Sequence, residues 1–208
     1  MKKIFLTILA IVPLTLWAQD NSWENDEDEL KTEVKEAPKP KVDVKYLKGA
    51  VPEVDGRVVF SKTIEVPGKT VDQIYSTMLK YMERLTRTSN QLNSKVVVAD
   101  SLKHEIGASY EEWLVFKKAP LSLDRTRFFY VLQAACADGK VDIAMTRIRY
   151  HYEEERNGGT HFKAEEWITD KEAVNKKNTK LLPISGKFRR KTIDRKDYLF
   201  NKFESLLK

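Results

Sequence analysis

From Val96 to Tyr152 the chain alternates apolar and polar residues at period two through four successive runs, a pattern that fits antiparallel sheet and little else. The runs are Val96–Ala99, Ile106–Phe116, Arg127–Cys136 and Val141–Tyr152. The second places Ala108, Tyr110, Leu114 and Phe116 on one face. The third places Phe128, Tyr130, Leu132, Ala134 and Cys136 on one face, with Phe129 and Val131 on the other. Between the third and fourth, Asp138-Gly139 suits the positive φ angles of a tight type I′ hairpin. In the fourth the apolar set changes phase, from Val141, Ile143 and Met145 to Ile148, Tyr150 and Tyr152. A strand makes that switch only through a bulge, placed here near Thr146-Arg147.

Upstream, Arg57 to Val66 reads as a strand with Val58, Phe60, Ile64 and Val66 on one face and Lys62 as the only break. Pro67-Gly68 ends it, and Thr70 with Gln73 forms a capping box. Val71, Ile74, Tyr75, Met78, Met82 and Leu85 then come at helical spacing. Downstream, Asn157-Gly158-Gly159 is a turn, and Thr160 to Ile168 reads as a short edge strand or an ordered loop. Thr169 with Glu172 is a second capping-box pattern, opening a short helix through about Lys177. Pro183 and Gly186 interrupt the next stretch, and a closing helix runs from about Ile193 to Leu207. The order β-α-β-β-β-β-α predicts an α+β fold: a single antiparallel sheet with helices packed on one face.

The N-terminus is of another kind. Lys2 and Lys3 precede an apolar run, Ile4 to Leu16, and Leu16-Trp17-Ala18 makes a cleavage site before Gln19, the pattern of a secretory signal peptide. The run is shorter than the roughly 20 residues of a membrane span, so no transmembrane segment is expected after cleavage. The expected location is the periplasm or the extracellular space. Residues 19–50 are rich in charge and proline and too poor in apolar side chains to offset the entropy of ordering, which predicts a disordered tail or linker before a domain at 51–208. Eight acids fall between Asp20 and Glu36 against Lys31 and Lys35, while the rest of the chain is basic enough to bring the whole to +6. Such a tail is able to fold back on a basic body as an intramolecular competitor. Cys136, the one cysteine, excludes an internal disulfide and sits in an apolar run, where a buried, unreactive thiol is expected.

The strings GRVVFSKTIEVPGKTVDQIY, CADGKVDIAMTRIRYHYE and AEEWITD resemble a domain-of-unknown-function family of exported Gram-negative bacterial proteins, described as having a TBP-like fold. The resemblance spans roughly Val54 to Leu207. It implies the fold and brings no activity, cofactor or catalytic residue with it. A TATA-box analogy for function is not implied, because function belongs to sites rather than folds, and an exported chain is not expected to meet nucleic acid.

No pattern here carries recognisable catalysis. GxSxG and glycine-rich phosphate loops are absent from the sequence. His151 and His161 flank the turn and would approach across a hairpin near Glu153-Glu154-Glu155, but the spacing matches no established metal-ligand pattern. The adjacent pairs Glu111-Glu112 and Glu165-Glu166 point to opposite faces of a strand and read as solvated charge. Arg125, Arg127, Arg147 and Arg149 suggest a basic stripe on the sheet. The densest basic segment, Lys187, Arg189, Arg190, Lys191, Arg195 and Lys196, is the candidate patch for an anionic partner, although cations at a helix start oppose its dipole. The expectation is a non-enzymatic binding or interaction module without a cofactor, whose partner is an envelope protein, a glycan or an anionic lipid surface. The alternative is a small-ligand or lipid carrier whose cavity is lined by Tyr75, Met78, Met82 and Phe203.

Overall fold

The structure, a computed structural model, describes Trp23, residues 44–119 and residues 122–208. The expected leader, its cleavage site and most of the acidic tail lie outside the described residues. A 3₁₀ turn, Val44–Tyr46, comes first, then β1 (Glu53–Val54), β2 (Arg57–Val58), β3 (Phe60–Glu65) and helix α1 (Val71–Leu85). Next come strands β4 (Lys95–Asp100), β5 (Glu105–Ala119), β6 (Ser122–Ala137), β7 (Lys140–Tyr152) and β8 (Thr160–Lys163). Short helices α2 (Ala164–Trp167) and α3 (Asp170–Ala173) lead to the long α4 (Ser185–Leu207). The main sheet is six-stranded and antiparallel in the order β3-β7-β6-β5-β4, with β8 also on β7, and β1 and β2 form a separate small ladder.

The inner face of the sheet carries the residues that alternation groups together, and α1 and α4 cover it. Phe128, Tyr150 and Met145 have no exposed surface, and neither do Ile74, Met78 and Met82 on α1. Burying side chains of this size contributes about 1.5–3 kcal/mol each. The capping box of α1 is formed as expected: Gln73 N–H donates to Thr70 Oγ1 at 3.4 Å and Thr70 N–H to Gln73 Oε1 at 3.0 Å.

Several expectations are corrected by tertiary contacts. The first strand is split at Val59, whose N–H turns away to Pro52 O at 3.2 Å. The Asp138-Gly139 turn has only Gly139 at positive φ, 72°, so it is not type I′. Its shape answers to the strand–helix loop: Asp138 accepts from Val71 N at 2.8 Å, and Gly139 both donates to Lys69 O and accepts from Val66 N. The bulge in β7 is where the phase change put it. Arg147, at φ 53°, and Ile148 together face Tyr130, between the pairs Phe129↔Arg149 and Val131↔Thr146.

The closing helix starts eight residues earlier than its apolar stripe suggests, at Ser185 rather than Ile193. Gly186 is no breaker there. A Cβ on it would lie 2.7 Å from Leu181 Cβ, so glycine permits the close approach. The preceding helix ends at Ala173 instead of Lys177, and Thr169 makes no side-chain cap bond. The domain also takes in Val44 to Ala50, which composition alone assigns to the tail. Tyr46 and Leu47 are each 7% exposed, and their carbonyls accept from Arg189 of α4.

Candidate functional site

The face of the sheet opposite the helices is assembled by register into two rows. One runs Trp113↔Arg127↔His151↔His161 across β5, β6, β7 and β8. The next runs Glu111↔Phe129↔Arg149↔Lys163 over the same strands. Residues two apart in a strand share a face, so the two rows form one patch of arginine, aromatic and histidine side chains.

Within it the arginines rest on rings. The guanidinium of Arg125 lies 3.6 Å over the centroid of Trp113, and that of Arg149 lies 5.5 Å over Phe129. Arg127 is held from both sides, by Glu111 Oε1 at 3.2 Å and Glu154 Oε2 at 2.8 Å. His151 and His161 stack with centroids 4.0 Å apart, as the hairpin argument expects of their approach. His151 Nε2–H donates to Gly158 O at 2.8 Å, which turns Nδ1 toward Glu154 at 3.7 Å. Trp113, Asp124, Arg125, His151 and Arg156 line an open groove of about 450 Å³. Trp113 Nε1 is buried beside it and donates to nothing among the described residues. At the rim, Lys187 donates to Asp124 at 2.7 Å and to the Tyr152 hydroxyl at 2.9 Å. Burial works against the Lys187 charge, but its bond to Asp124 more than offsets this, so the amine titrates above its ordinary value. The groove therefore offers fixed cations, ring faces and carboxylates, the chemistry of a polar binding site.

The candidate basic patch is not one surface. Around α4 its six cations point in different directions. Arg189 is fully buried and donates to Tyr46 O, Leu47 O, Ile168 O and Asp170. Arg195 is 2% exposed and grips Glu112 through two bonds of 2.7 Å. Lys196 pairs with Asp197, Lys187 turns to Asp124, and Arg190 lies 4.5 Å over the Tyr46 ring. Lys191 is partly exposed. Most of these cations hold the domain together, which explains why the helix tolerates them near its start. The arginine stripe is likewise redistributed: Arg125, Arg127 and Arg149 share the open face, while Arg147 sits in the bulge.

Glu112 is the residue that sequence reasoning misplaced. It has no exposed surface, and Gln91 donates to it beside the two bonds from Arg195. Burial works against the Arg195 charge, and the Glu112 carboxylate more than offsets it, holding the guanidinium above its ordinary value. The signal was there in its phase, because Glu112 has the parity of Tyr110 and Leu114 and so faces the helices. Glu165 and Glu166 lie on α2 rather than a strand, and Glu165 accepts from Val58 N at 2.9 Å. Burial pushes the Cys136 thiol up to about 11. Met78, Met82 and Phe203 are at most 1% exposed and Tyr75 is 9% exposed, all within one core cluster. They fill the space that the carrier reading assigns to a ligand. Among the described residues no three His, Cys, Asp or Glu side chains group as metal ligands, and no helix is long and apolar enough to cross a membrane.

One antiparallel sheet, helices on one side and a bare face on the other define an α+β domain of TBP-like fold. Residues 60–151 match the profile of a family described as "Domain of unknown function (DUF4468) with TBP-like fold". A DUF4468 family protein from Bacteroides ovatus, known from a crystal structure, is 44% identical, with a TM-score of 0.74 over 81% of this chain and 96% of that one. The chain belongs to the DUF4468 family. A TBP-like protein from Parabacteroides distasonis shares the fold at 19% identity and a TM-score of 0.62, over 76% of this chain and 96% of that one. No curated protein matches.

Proposed function

We propose that this is an exported, non-enzymatic binding module of the cell envelope that takes an anionic glycan on the open face of its sheet. One observation carries the reading: Trp113, on the face no helix covers, is 7% exposed, and the Arg125 guanidinium lies 3.6 Å over its ring. A stacked guanidinium keeps its N–H edge free to meet a carboxylate or sulfate in two bonds, while the ring beneath fixes its direction. Arg149 repeats the arrangement on Phe129, and Arg127 and Glu154 add a donor and an acceptor for sugar hydroxyls. Export rests on the leader pattern at Met1 to Gln19.

Titrating the protein with uronate- and sulfate-bearing oligosaccharides, against neutral ones, tests the ligand. Binding to the anionic set that falls at least tenfold in Arg125→Ala and Arg149→Ala is expected. No binding, or binding that both variants keep, overturns the reading, and binding to anionic vesicles or to an envelope protein instead redirects it. Fusing residues 1–25 to a reporter active only outside the cytoplasm tests export, with a silent fusion as the refuting result.

A further inference from the structure

A second site, unrelated to the open face, lies between α1 and α4. Tyr81, Arg84 and Leu85 from α1, Asn90 beyond it, and Arg195, Tyr198 and Lys202 from α4 line, together with Trp23, an open groove of about 320 Å³. Trp23 packs between the two helices as part of that lining, and the open space lies beside its ring. Although it precedes the domain by a stretch of tail, Trp23 is only 4% exposed. Its ring meets Tyr198 with centroids 5.7 Å apart, and the Arg195 guanidinium lies 5.3 Å over it. Arg195 is anchored from below by Glu112, so the floor of the groove is a preformed, buried cation–π surface.

Charge and hydrogen bonding describe what belongs there. Arg84, Arg195 and Lys202 line the groove with cations, and among the described residues no acid lines it. In sequence Trp23 precedes Glu24, Asp26, Glu27, Asp28 and Glu29. Two buried polar atoms in the groove have no partner among the described residues: the Trp23 indole N–H and the Asn90 Oδ1. Asn90 is 4% exposed and its orientation is fixed, because its amide donates to Trp113 O at 2.7 Å. A donor and an acceptor that stand idle in one groove mark an occupant that is held but not optimally bonded. An indole seated so as to reach Asn90 would make the bond that Trp23 leaves unmade.

We propose that the α1–α4 groove is a docking site for a tryptophan borne on an acidic peptide segment, and that Trp23 is its resident, tethered occupant. Residues 24–43 join Trp23 to the domain, and a tether of this length sets an effective concentration of order millimolar. An external peptide of the same chemistry therefore meets a groove where Trp23 already holds the ring contacts of Tyr198 and Arg195. The acidic segment is then a competitor in cis, which a partner with a better-bonded tryptophan displaces.

A synthetic peptide of residues 19–36, labelled with fluorescein, is the probe, titrated against the intact chain and against the chain carrying Trp23→Ala. The variant is expected to bind the peptide about 100-fold more tightly than the native chain. A peptide with alanine in place of its tryptophan should not bind, and salt at about 0.5 M should weaken the complex. Equal binding by the two chains, or none by the variant, overturns the proposal. Should Trp23→Ala unfold, fluorotryptophan labelling of the native chain gives a separate answer. The Trp23 resonance, assigned by its loss in Trp23→Phe, should move to the free-peptide position in Arg84→Glu/Lys202→Glu. A resonance already at that position in the native chain refutes the docking.

Discussion

The two faces of the sheet treat arginine and glutamate in opposite ways. On the inner face Glu112 and Arg195 are stripped of water and bonded to each other, with Gln91 completing the carboxylate. On the outer face Arg125, Arg127 and Arg149 lie on rings or beside carboxylates and stay within reach of solvent. The same residue types thus serve structure on one side and display on the other. Burial decides which, because a charge without water depends wholly on its partner, whereas a charge at the surface always has water as an alternative.

Breaking the inner pair alone should have the largest effect. Glu112→Ala strands the Arg195 guanidinium and should lower stability by about 3–5 kcal/mol, read as a shift in the urea midpoint with an unchanged slope. Replacing both partners, as Glu112→Leu with Arg195→Met, should recover most of that loss. A double variant as unstable as the single one would mean that the pair is not what the single change removes.

The outer face should be far more tolerant. Arg125→Ala removes a stacked guanidinium that is still partly hydrated and should cost below about 1 kcal/mol in the same measurement. A loss comparable to that of Glu112→Ala would abolish the distinction between the faces. Thermal scans of Arg149→Ala offer an independent check on the same face.

At the boundary between these environments, Lys62 reaches from β3 to Glu204 on α4, which Lys208 also contacts. The bond from Lys208, with that from Lys62, holds the Glu204 carboxyl down to about 2 from its ordinary 4.5. A folded-state value below the unfolded one stabilises above the unfolded value, and the contribution is lost as pH falls toward the folded one. Acid unfolding of the native chain should therefore include a component between about pH 4.5 and 2 that Glu204→Gln lacks. At still lower pH, with the carboxyl protonated, the two chains should differ least. Superimposable acid profiles would show that the pairing does not matter to the fold.

Local physics was legible in the sequence to a useful depth. Period two marked the strands, the phase change in β7 marked its bulge, and Thr70 with Gln73 marked the start of α1, because each depends on neighbours a few residues away. The open-face rows were partly legible: the alternation put Phe129 with Val131, and Arg125 with Arg127, on shared faces. What alternation does not state is which face the helices will cover. For that reason Glu112 read as solvated although its parity matched Tyr110, and Arg189 and Arg195 read as a basic patch although both are core.

What the sequence determined by itself is the four alternating strands from Val96 to Tyr152, the first helix and the sharing of faces along those strands, since these depend on backbone geometry and side-chain polarity over short spans. Only the tertiary structure decided the destination of the charges. It paired Glu112 with Arg195 across 83 residues, it turned the carbonyls of Tyr46 and Leu47 toward Arg189, and it seated Trp23 between α1 and α4. Each of these partners lies far along the chain, and a buried charge is tolerable only where the fold delivers its counterpart.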